Sequence, residues 1–182
     1  MSMFFSQDSL NSQHLQQELI DYMFRRDETG KLDAEACLKL WFGKSHDTDN
    51  EIRKRYGSLV EQAIAGELDH WLETPYGCLA LMILSDQFPR NIYRHTVQMY
   101  AGDKKAMEIV TRGHDWRAEL TPEECLFVPC LVLTHQESLE AQEQCVAYYE
   151  QIEPDLMPEF RSFRTIFEAH LKIANSNLKC NT

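Results

Sequence analysis

The sequence predicts an all-α protein made of successive antiparallel helical hairpins. Apolar residues recur three and four positions apart along almost the whole chain, which is the period of an amphipathic helix. No alternation of apolar and polar residues is long enough to predict a strand, and seven glycines in 182 residues are few for a turn-rich β architecture. Short connections between helical stretches favour antiparallel neighbours, so we expect about eight to ten helices packed as hairpins.

Capping residues and glycines mark the first three helices. The first helix breaks near Gly30, and Asp33 is placed to cap the second helix, which stops at Gly43. The polar run 46–50 offers N-cap oxygens for the third helix, which ends or bends at Gly66. The apolar faces of these helices carry Leu15, Leu19, Tyr22 and Met23, then Cys37, Leu40 and Trp41, then Ile52, Tyr56, Leu59, Val60 and Ala63.

The fourth helix is almost wholly apolar. Thr74 and Pro75 form an N-cap and N1 pair, because the first turn of a helix has no use for the N–H that proline lacks. The apolar run 78–84 follows. The helix is predicted to end near Phe88, since the residue before Pro89 is disfavoured in the α conformation.

The second half of the chain predicts further amphipathic helices. Asp103 can cap one that closes near Gly113, and Thr121 and Glu124 have the spacing of a capping box. A later helix stops before Pro154. No strict repeat period is visible. The apolar positions are Ala106, Met107 and Val110, then Leu126, Cys130 and Leu133, then Leu139, Cys145, Val146 and Tyr149, then Phe160, Phe163, Phe167, His170, Leu171 and Ala174.

Length and composition predict one soluble domain over residues 1–182. Hydrophobic residues make up 43% of the chain and charged residues 26%, which is typical of a globular protein with a substantial core. The formal net charge of −11 disfavours binding to nucleic-acid phosphates and to anionic membranes. The longest apolar run is far shorter than the ~20 residues of a membrane-spanning helix. We therefore expect neither nucleic acid nor membrane as a partner.

The six cysteines predict a cytoplasmic protein with reduced thiols. None of them forms a Cys-x-x-Cys pair, and most lie among apolar residues at helical spacing. Residues 1–10 lack the basic start and long apolar core of a secretory signal peptide, so we expect the cytoplasm, where thiols stay reduced. The cysteines are Cys37, Cys78, Cys125, Cys130, Cys145 and Cys180.

Charge is unevenly distributed along the chain. Residues 118–160 contain no Lys or Arg but ten carboxylates. A charge run of this kind is ordinarily a solvated face. The alternative is a docking face for a basic protein partner.

The densest group of polar side chains follows the apolar fourth helix, in the sequence DQFPRNIYRH that begins at Asp86. Asp86 and Arg90 flank the expected corner at Pro89 and are spaced to form an ion pair. One interpretation is structural: Asp86 and Asn91 satisfy freed backbone groups, and Arg90 pairs with a carboxylate. The other is functional, with Arg90 and Arg94 offering forked donors to an anionic ligand. The candidate ligand-binding residues are Asp86, Gln87, Arg90, Asn91, Tyr93 and Arg94.

Histidines elsewhere are further candidates for acid–base chemistry. His135 and Glu137 stand near a predicted helix start, and His170 lies on the apolar side of the last helix, where a core histidine is the ordinary alternative. Glu67 and His70 have the spacing of a helical di-iron motif, but the site needs two copies and the chain has one, so no metal and no cofactor is expected. No zinc-protease, nucleophile-elbow, phosphate-loop or dinucleotide motif occurs.

Several of these segments together resemble a mainly bacterial family of proteins catalogued as domain of unknown function 924. The resemblance runs from about residue 37 to 170 and implies a tetratricopeptide-like α–α superhelix, with no established activity. It is carried by Trp41-Phe42-Gly43, by Ile52-Arg53 and Arg55-Tyr56-Gly57, by GELDHW at 66–71, by Thr74-Pro75 and Gly77, by LAL at 79–81 and DQFPRNIYR at 86–94, and by Asp103, Ala106, His135, Glu137, Gln142 and Glu143.

The chain departs from the family pattern at two places. The family's His-Ser-Glu-Asp is His135-Gln136-Glu137-Ser138 here, which removes one acid. The family's arginine-rich HRxIIxRFGRFPHRN segment is replaced after His170 by LKIANSN. If that segment completes a polar pocket with DQFPRN, this chain lacks one wall of it.

Two functions from different classes are compatible with these residues. The first is a non-catalytic binding or scaffold module that holds a peptide or small anionic ligand with residues of the 86–94 segment. The second is a small hydrolase-type enzyme in which His135 or His170 acts with Glu137 or Asp86 as acid and base. The lack of a nucleophile motif favours the first.

Overall fold

A computed structural model describes residues 7–112 and 114–180, with the side chains of 11–112 and 114–176. These residues form helices, turns and loops, and the β pairing among them is one isolated bridge between Arg26 and Leu32. The all-α prediction is therefore confirmed. The chain forms two compact units, one up to Ala106 and one from Met107. A single domain over residues 1–182 stays a prediction.

The first unit is built around the apolar helix that the sequence predicts from Pro75. α1 packs against α4, and α3 packs against α5 and against a π-helical turn that joins α4 to α5. α6 contains the division between the two units. The elements are α1 (Gln7–Met23), α2 (Ala34–Phe42), α3 (His46–Ala65), α4 (Pro75–Met82), the π-helical turn Ile83–Gln87, α5 (Phe88–Ile92) and α6 (Asp103–Val110), with 3-10 turns at Asp69–Glu73 and Val97–Tyr100.

The second unit has a core of aromatic residues between its last two long helices. α10 packs against α11 and against a second π-helical turn, and Phe160, Phe163 and Phe167 are fully or almost fully buried. The elements are α7 (Trp116–Glu119), α8 (Pro122–Cys125), the π-helical turn Leu126–Leu131, α9 (Val132–Thr134), α10 (Leu139–Ile152) and α11 (Phe163–Cys180), with 3-10 turns at Glu153–Asp155 and Pro158–Phe160.

Most predicted helix boundaries are confirmed by their caps. Asp33 caps α2, since its carboxylate accepts the Ala36 N–H at 3.0 Å. Gly66 ends α3 with a φ of +83°, a conformation that glycine adopts without the strain of a Cβ. The cap of α3 is Ser45, not a residue of the predicted run 46–50, because Ser45 has the extended backbone that an N-cap needs. The predicted end of α6 near Gly113 lies outside the described residues.

The predicted helix end at Phe88 is wrong. Residues 75–92 form one continuous helix, and Phe88 keeps α-helical angles of −67° and −36°. In a regular α-helix the ring of Pro89 would clash with the carbonyl of Ser85, four residues earlier. The π-helical turn over Ile83–Gln87 widens the helix just before Pro89, which relieves this clash without a break.

The second unit also contains a helix that passes into a π-helical turn near a proline. Residues 74–79 and 121–126 both read Thr-Pro-x-x-Cys-Leu, and each begins a helix with a threonine N-cap and a proline at N1. Each helix then passes into a π-helical turn, and the second of these turns contains Pro129. The two π-helical turns join α4 to α5 and α8 to α9, so the described residues contain nine continuous helices, within the predicted number.

The predicted capping box at the start of α8 is confirmed, and its loss is expected to be measurable. The Thr121 hydroxyl accepts the Glu124 N–H at 3.3 Å, and the Glu124 carboxylate accepts the Thr121 N–H at 2.9 Å. Thr121→Ala removes the first bond and is expected to lower the free energy of unfolding by about 1 kcal/mol, measured by urea denaturation. Thr165→Ala, an exposed threonine inside α11, is the matched control and is expected to change it by less than about 0.5 kcal/mol. Equal losses in both variants would contradict a capping role.

Candidate functional site

The DQFPRNIYR segment lies in the second half of the continuous helix 75–92, not at a corner. Asp86 is 1% exposed and forms an ion pair with Arg90, one helical turn later, at 2.9 Å. Arg90 also donates to the Asp86 main-chain oxygen at 2.8 Å and pairs with Asp103 at 3.0 Å. Its guanidinium therefore joins the π-helical turn to the first residue of α6.

Arg94 joins the end of the same helix to α3. Its guanidinium forms a fork with the Asp49 carboxylate, Nε to Oδ2 at 2.9 Å and Nη2 to Oδ1 at 2.8 Å. Asn91 donates to the same carboxylate at 3.0 Å. Gln87 in turn donates to the Asn91 side-chain oxygen at 3.0 Å and to the main-chain oxygen of Trp41 at 3.2 Å. This chain of bonds connects α2, α3 and the helix 75–92.

The electrostatics of this group keep Asp49 ionised. Burial raises the pKa of its carboxyl, but the hydrogen bonds from Arg94 and Asn91 and the positive charge of Arg94 outweigh burial. The pKa therefore lies below its ordinary value of 3.8. The arrangement is a charge-assisted clamp, and we call Asp49, Gln87, Asn91 and Arg94 the α3 clamp.

Phe88 anchors the apolar side of the segment. Its ring stacks on Tyr56 with centroids 5.1 Å apart and meets Tyr22 edge-on at 6.2 Å. The side chains of Tyr22, Tyr56 and Phe88 come from α1, α3 and α5, so three helices meet at this residue. Polar and apolar contacts of the segment thus hold the same set of helices together.

The structural interpretation of Arg90 and Arg94 accounts for both arginines. Each pairs with carboxylates of its own chain, Arg90 with Asp86 and Asp103 and Arg94 with Asp49. Sequence reasoning predicted the Asp86–Arg90 pair but missed Asp49 and Asp103 as partners. Both lie where N-cap residues are predicted, and neither has a local signal that points to an arginine more than ten residues away.

One arginine outside the predicted ligand-binding residues is Arg53 on α3. Its guanidinium donates to the main-chain oxygen of Ile92 and lies 5.8 Å from the ring centre of Tyr93. Among the described residues, no carboxylate forms an ion pair with it. Arg53 is therefore a cation held in place by a carbonyl and an aromatic ring beside the end of the polar segment.

The chain beyond the segment forms an exposed turn. Tyr93 is half-buried, and His95 has a φ of +67°, an uncommon conformation for a residue with a side chain. Val97 is 80% exposed and Tyr100 57% exposed, and the Arg90 guanidinium lies 5.9 Å from the ring centre of Tyr100. We call Arg53, Tyr93, Val97 and Tyr100 the turn surface.

The structure places the remaining candidates in the second unit, whereas Asp86 belongs to the first. His135, Glu137 and His170 are all exposed. The prediction of a core histidine at His170 is wrong, because beyond Phe167 the buried face of α11 continues through the half-buried Leu171 and the buried Ala174. A catalytic acid or base ordinarily lies in a cleft, so these exposed positions add no support for the hydrolase hypothesis.

Several carboxylates of the acidic segment 118–160 have partners within the chain, among them Glu153, which accepts the Arg164 Nε–H at 2.9 Å. Glu124 forms the capping box, and the buried Glu123 accepts the Met157 N–H at 3.1 Å. A basic partner for the other carboxylates of this segment stays a prediction. Within the described part of the chain, no three His, Cys, Asp or Glu side chains are grouped to hold a metal ion. None of the helices in that part has the length and apolar character needed to cross a membrane.

Fold and site together define a class: an all-α protein whose central helix passes through a π-helical turn and is tied to its neighbours by buried ion pairs. Comparison with known proteins then identifies the family. The chain belongs to a bacterial protein family of unknown function, DUF924, whose model matches residues 19–179. This confirms the family that the sequence motifs indicate.

A solved structure supports the same conclusion. The chain is similar to a protein of unknown function from Agrobacterium tumefaciens, with 29% sequence identity and a TM-score of 0.70 over 90% of this chain and 84% of that one. No curated protein matches the chain. The tetratricopeptide-like superhelix implied by the family resemblance stays a prediction.

Proposed function

We propose that this protein is a non-catalytic binding module that holds a peptide on the turn surface. A carboxylate of the peptide pairs with Arg53, and an apolar side chain of the peptide packs on Val97 and Tyr100. The observation that carries the proposal is Arg53, a guanidinium already oriented by the Ile92 carbonyl and the Tyr93 ring, with no carboxylate partner among the described residues.

The contacts around Arg53 favour a peptide carboxylate as its partner. A guanidinium presents several donors in one plane and pairs with a carboxylate through two parallel hydrogen bonds. One of its nitrogens already donates to the Ile92 carbonyl, so less conformational entropy is lost on binding. Arg90 and Arg94 are less suited, since a ligand would have to displace Asp86 and Asp103 or Asp49 from them.

The exposed apolar residues favour a peptide over a simple anion. Val97 and Tyr100 lie on one 3-10 turn that begins four residues after Tyr93, and the Thr96 N–H bonds back to the Tyr93 oxygen at 3.0 Å. Tyrosine is enriched in binding surfaces because it buries a large area at a low cost in conformational entropy. A peptide with an acidic residue near a large apolar residue matches both features.

Binding of labelled peptides tests this proposal. The probe is a fluorescein-labelled pool of short peptides in which Glu or Asp alternates with Leu or Phe, followed by fluorescence anisotropy on the full chain. We expect saturable binding. Its affinity should fall about tenfold or more in Arg53→Gln, because the peptide carboxylate loses one charged hydrogen-bonding partner. Val97→Asp is expected to weaken binding by a similar factor, because it places a carboxylate against the peptide.

Lys54→Gln is the matched control, since Lys54 is the next residue on α3 and carries the same charge. Equal loss in Lys54→Gln would mean that binding depends on general charge and would overturn the proposal. Unchanged binding in both Arg53→Gln and Val97→Asp, or no binding of the pool to the unmodified chain, would also overturn it. A pool with Gln and Asn in place of Glu and Asp is expected to bind weakly. If acetate alone inhibited binding and the apolar residues contributed nothing, the ligand would be a small anion and not a peptide.

A further inference from the structure

A group of buried thiols lies in the second unit, whereas the turn surface belongs to the first. Cys130 lies in the π-helical turn Leu126–Leu131, and Cys145 lies on α10. The Cys145 Sγ is 3.3 Å from the Cys130 main-chain oxygen, and the Cys130 Sγ is 3.8 Å from the Cys145 main-chain oxygen. Each sulfur therefore lies against the main chain of the other cysteine, which places the two residues side by side.

The two thiols differ in their surroundings. The neighbouring Cys130 thiol and the Thr134 hydroxyl, whose oxygen lies 3.4 Å from the Cys145 Sγ, lower the pKa of the Cys145 thiol despite burial. Burial raises the pKa of the Cys130 thiol well above its ordinary value. The Cys145 thiol is therefore the one that ionises first, and the Cys130 thiol stays protonated.

We propose that Cys130 and Cys145 form an oxidation site at which a hydroperoxide converts two thiols into a disulfide. The Cys145 thiolate attacks one oxygen of hydrogen peroxide, the O–O bond breaks, and the other oxygen leaves as water after taking up the proton that Cys145 had released. The product is a sulfenic acid on Cys145. The Cys130 sulfur then attacks the Cys145 sulfur, the S–O bond breaks, and the hydroxyl leaves with the Cys130 proton as a second water.

The placement of the pair selects the oxidant. Neither Cys130 nor Cys145 has any solvent exposure, so access depends on brief local opening of the surrounding helices. Hydrogen peroxide is small enough to enter through such openings, whereas a bulky disulfide such as oxidised glutathione is not. The product would fix the π-helical turn to α10, which are separate elements in the chain.

The third thiol of the group serves as an internal comparison. Cys125 donates to the Leu120 main-chain oxygen at 3.8 Å, and burial raises the pKa of this thiol to about 11. A thiol with so high a pKa is almost fully protonated at neutral pH and reacts slowly with peroxide. Cys125 is therefore expected to stay reduced.

Peroxide treatment of the folded, fully reduced chain tests the proposal. After quenching, the remaining thiols are alkylated in denaturant and the protein is cleaved after glutamate, because residues 118–160 contain no Lys or Arg for trypsin. We expect the loss of two alkylation sites and a linked pair of peptides, 125–137 and 144–150. Cys125→Ser is expected to keep this link, whereas Cys130→Ser and Cys145→Ser are expected to lose it.

The intermediate gives a second measurement. In Cys130→Ser, oxidation is expected to stop at the Cys145 sulfenic acid, which dimedone labels, and in Cys145→Ser no dimedone label is expected on Cys130. A link that forms only in denatured protein, or one that includes Cys125 in the unmodified chain, would overturn the proposal. If glutathione disulfide oxidised the pair as fast as hydrogen peroxide does, burial would not select a small oxidant, and that part of the proposal would be wrong. Fragmentation of the linked 125–137 peptide in the mass spectrometer shows whether Cys125 or Cys130 carries the link. The unmodified chain alone therefore decides the first two outcomes, whether or not the serine variants fold.

Discussion

Asp49→Ala is expected to lower the free energy of unfolding by about 3 kcal/mol, because it breaks a largely buried ion pair. The carboxylate of Asp49 accepts both forked donors of Arg94 and the side-chain amide of Asn91. Its removal leaves a partly buried guanidinium and a buried amide without their acceptor. Urea denaturation followed by far-ultraviolet circular dichroism measures the loss.

Asp69→Ala is the matched control for this prediction. Asp69 also pairs with a cation, Lys105 at 2.7 Å, but its side chain is exposed. Water replaces an exposed partner, so the expected loss is only about 0–1 kcal/mol. Comparable losses for Asp49 and Asp69 would mean that the α3 clamp contributes no more than a surface ion pair.

The stability supplied by Asp49 is also expected to depend on pH. Its folded-state pKa lies below the unfolded value, so the contribution is fully present above the unfolded pKa and is lost as the pH falls through the folded pKa. The difference in unfolding free energy between the unmodified chain and Asp49→Asn should therefore be widest at neutral pH and narrow below about pH 4. A difference that grows on acidification would contradict this assignment.

Gly102→Ala is expected to cost about 3 kcal/mol by a different mechanism. A Cβ at position 102 would lie 2.0 Å from the main-chain oxygen of Ser85 and 2.8 Å from its carbonyl carbon. These are backbone atoms of the π-helical turn, so no side-chain rotation can relieve the clash. Either Gly102 must move or the turn that accommodates Pro89 must change, and both would disturb the Asp86–Arg90–Asp103 contacts. Urea denaturation measures the loss.

Gly57→Ala is expected to raise the free energy of unfolding, the opposite of Gly102→Ala. Gly57 lies inside α3, and the nearest atom to an added Cβ is the Arg53 Cγ at 4.0 Å. Alanine there removes conformational freedom from the unfolded chain without a clash, so we expect a gain of about 0.5–1 kcal/mol. If Gly102→Ala were as well tolerated as Gly57→Ala, the close packing of Gly102 against the π-helical turn would be refuted.

The candidate site was only partly predictable. The Asp86–Arg90 pair is visible in the sequence because residues four apart lie on one side of a helix. The partners Asp49 and Asp103 are not visible, since no local rule links Arg94 to a carboxylate 45 positions earlier. Arg53 is not visible as a candidate for the same reason, since its contact with the Ile92 carbonyl joins residues 39 positions apart.

The sequence by itself determined the helical class, the caps at Asp33, Thr74 and Thr121, and the family. These features rest on interactions within a few residues, such as N-cap hydrogen bonds and the period of the apolar face. The tertiary structure alone decided that the helix continues past Pro89, and that Arg90 and Arg94 are engaged internally. It also decided that His170 is exposed. Those outcomes depend on burial and on partners distant in the chain, whose energies outweigh local propensity.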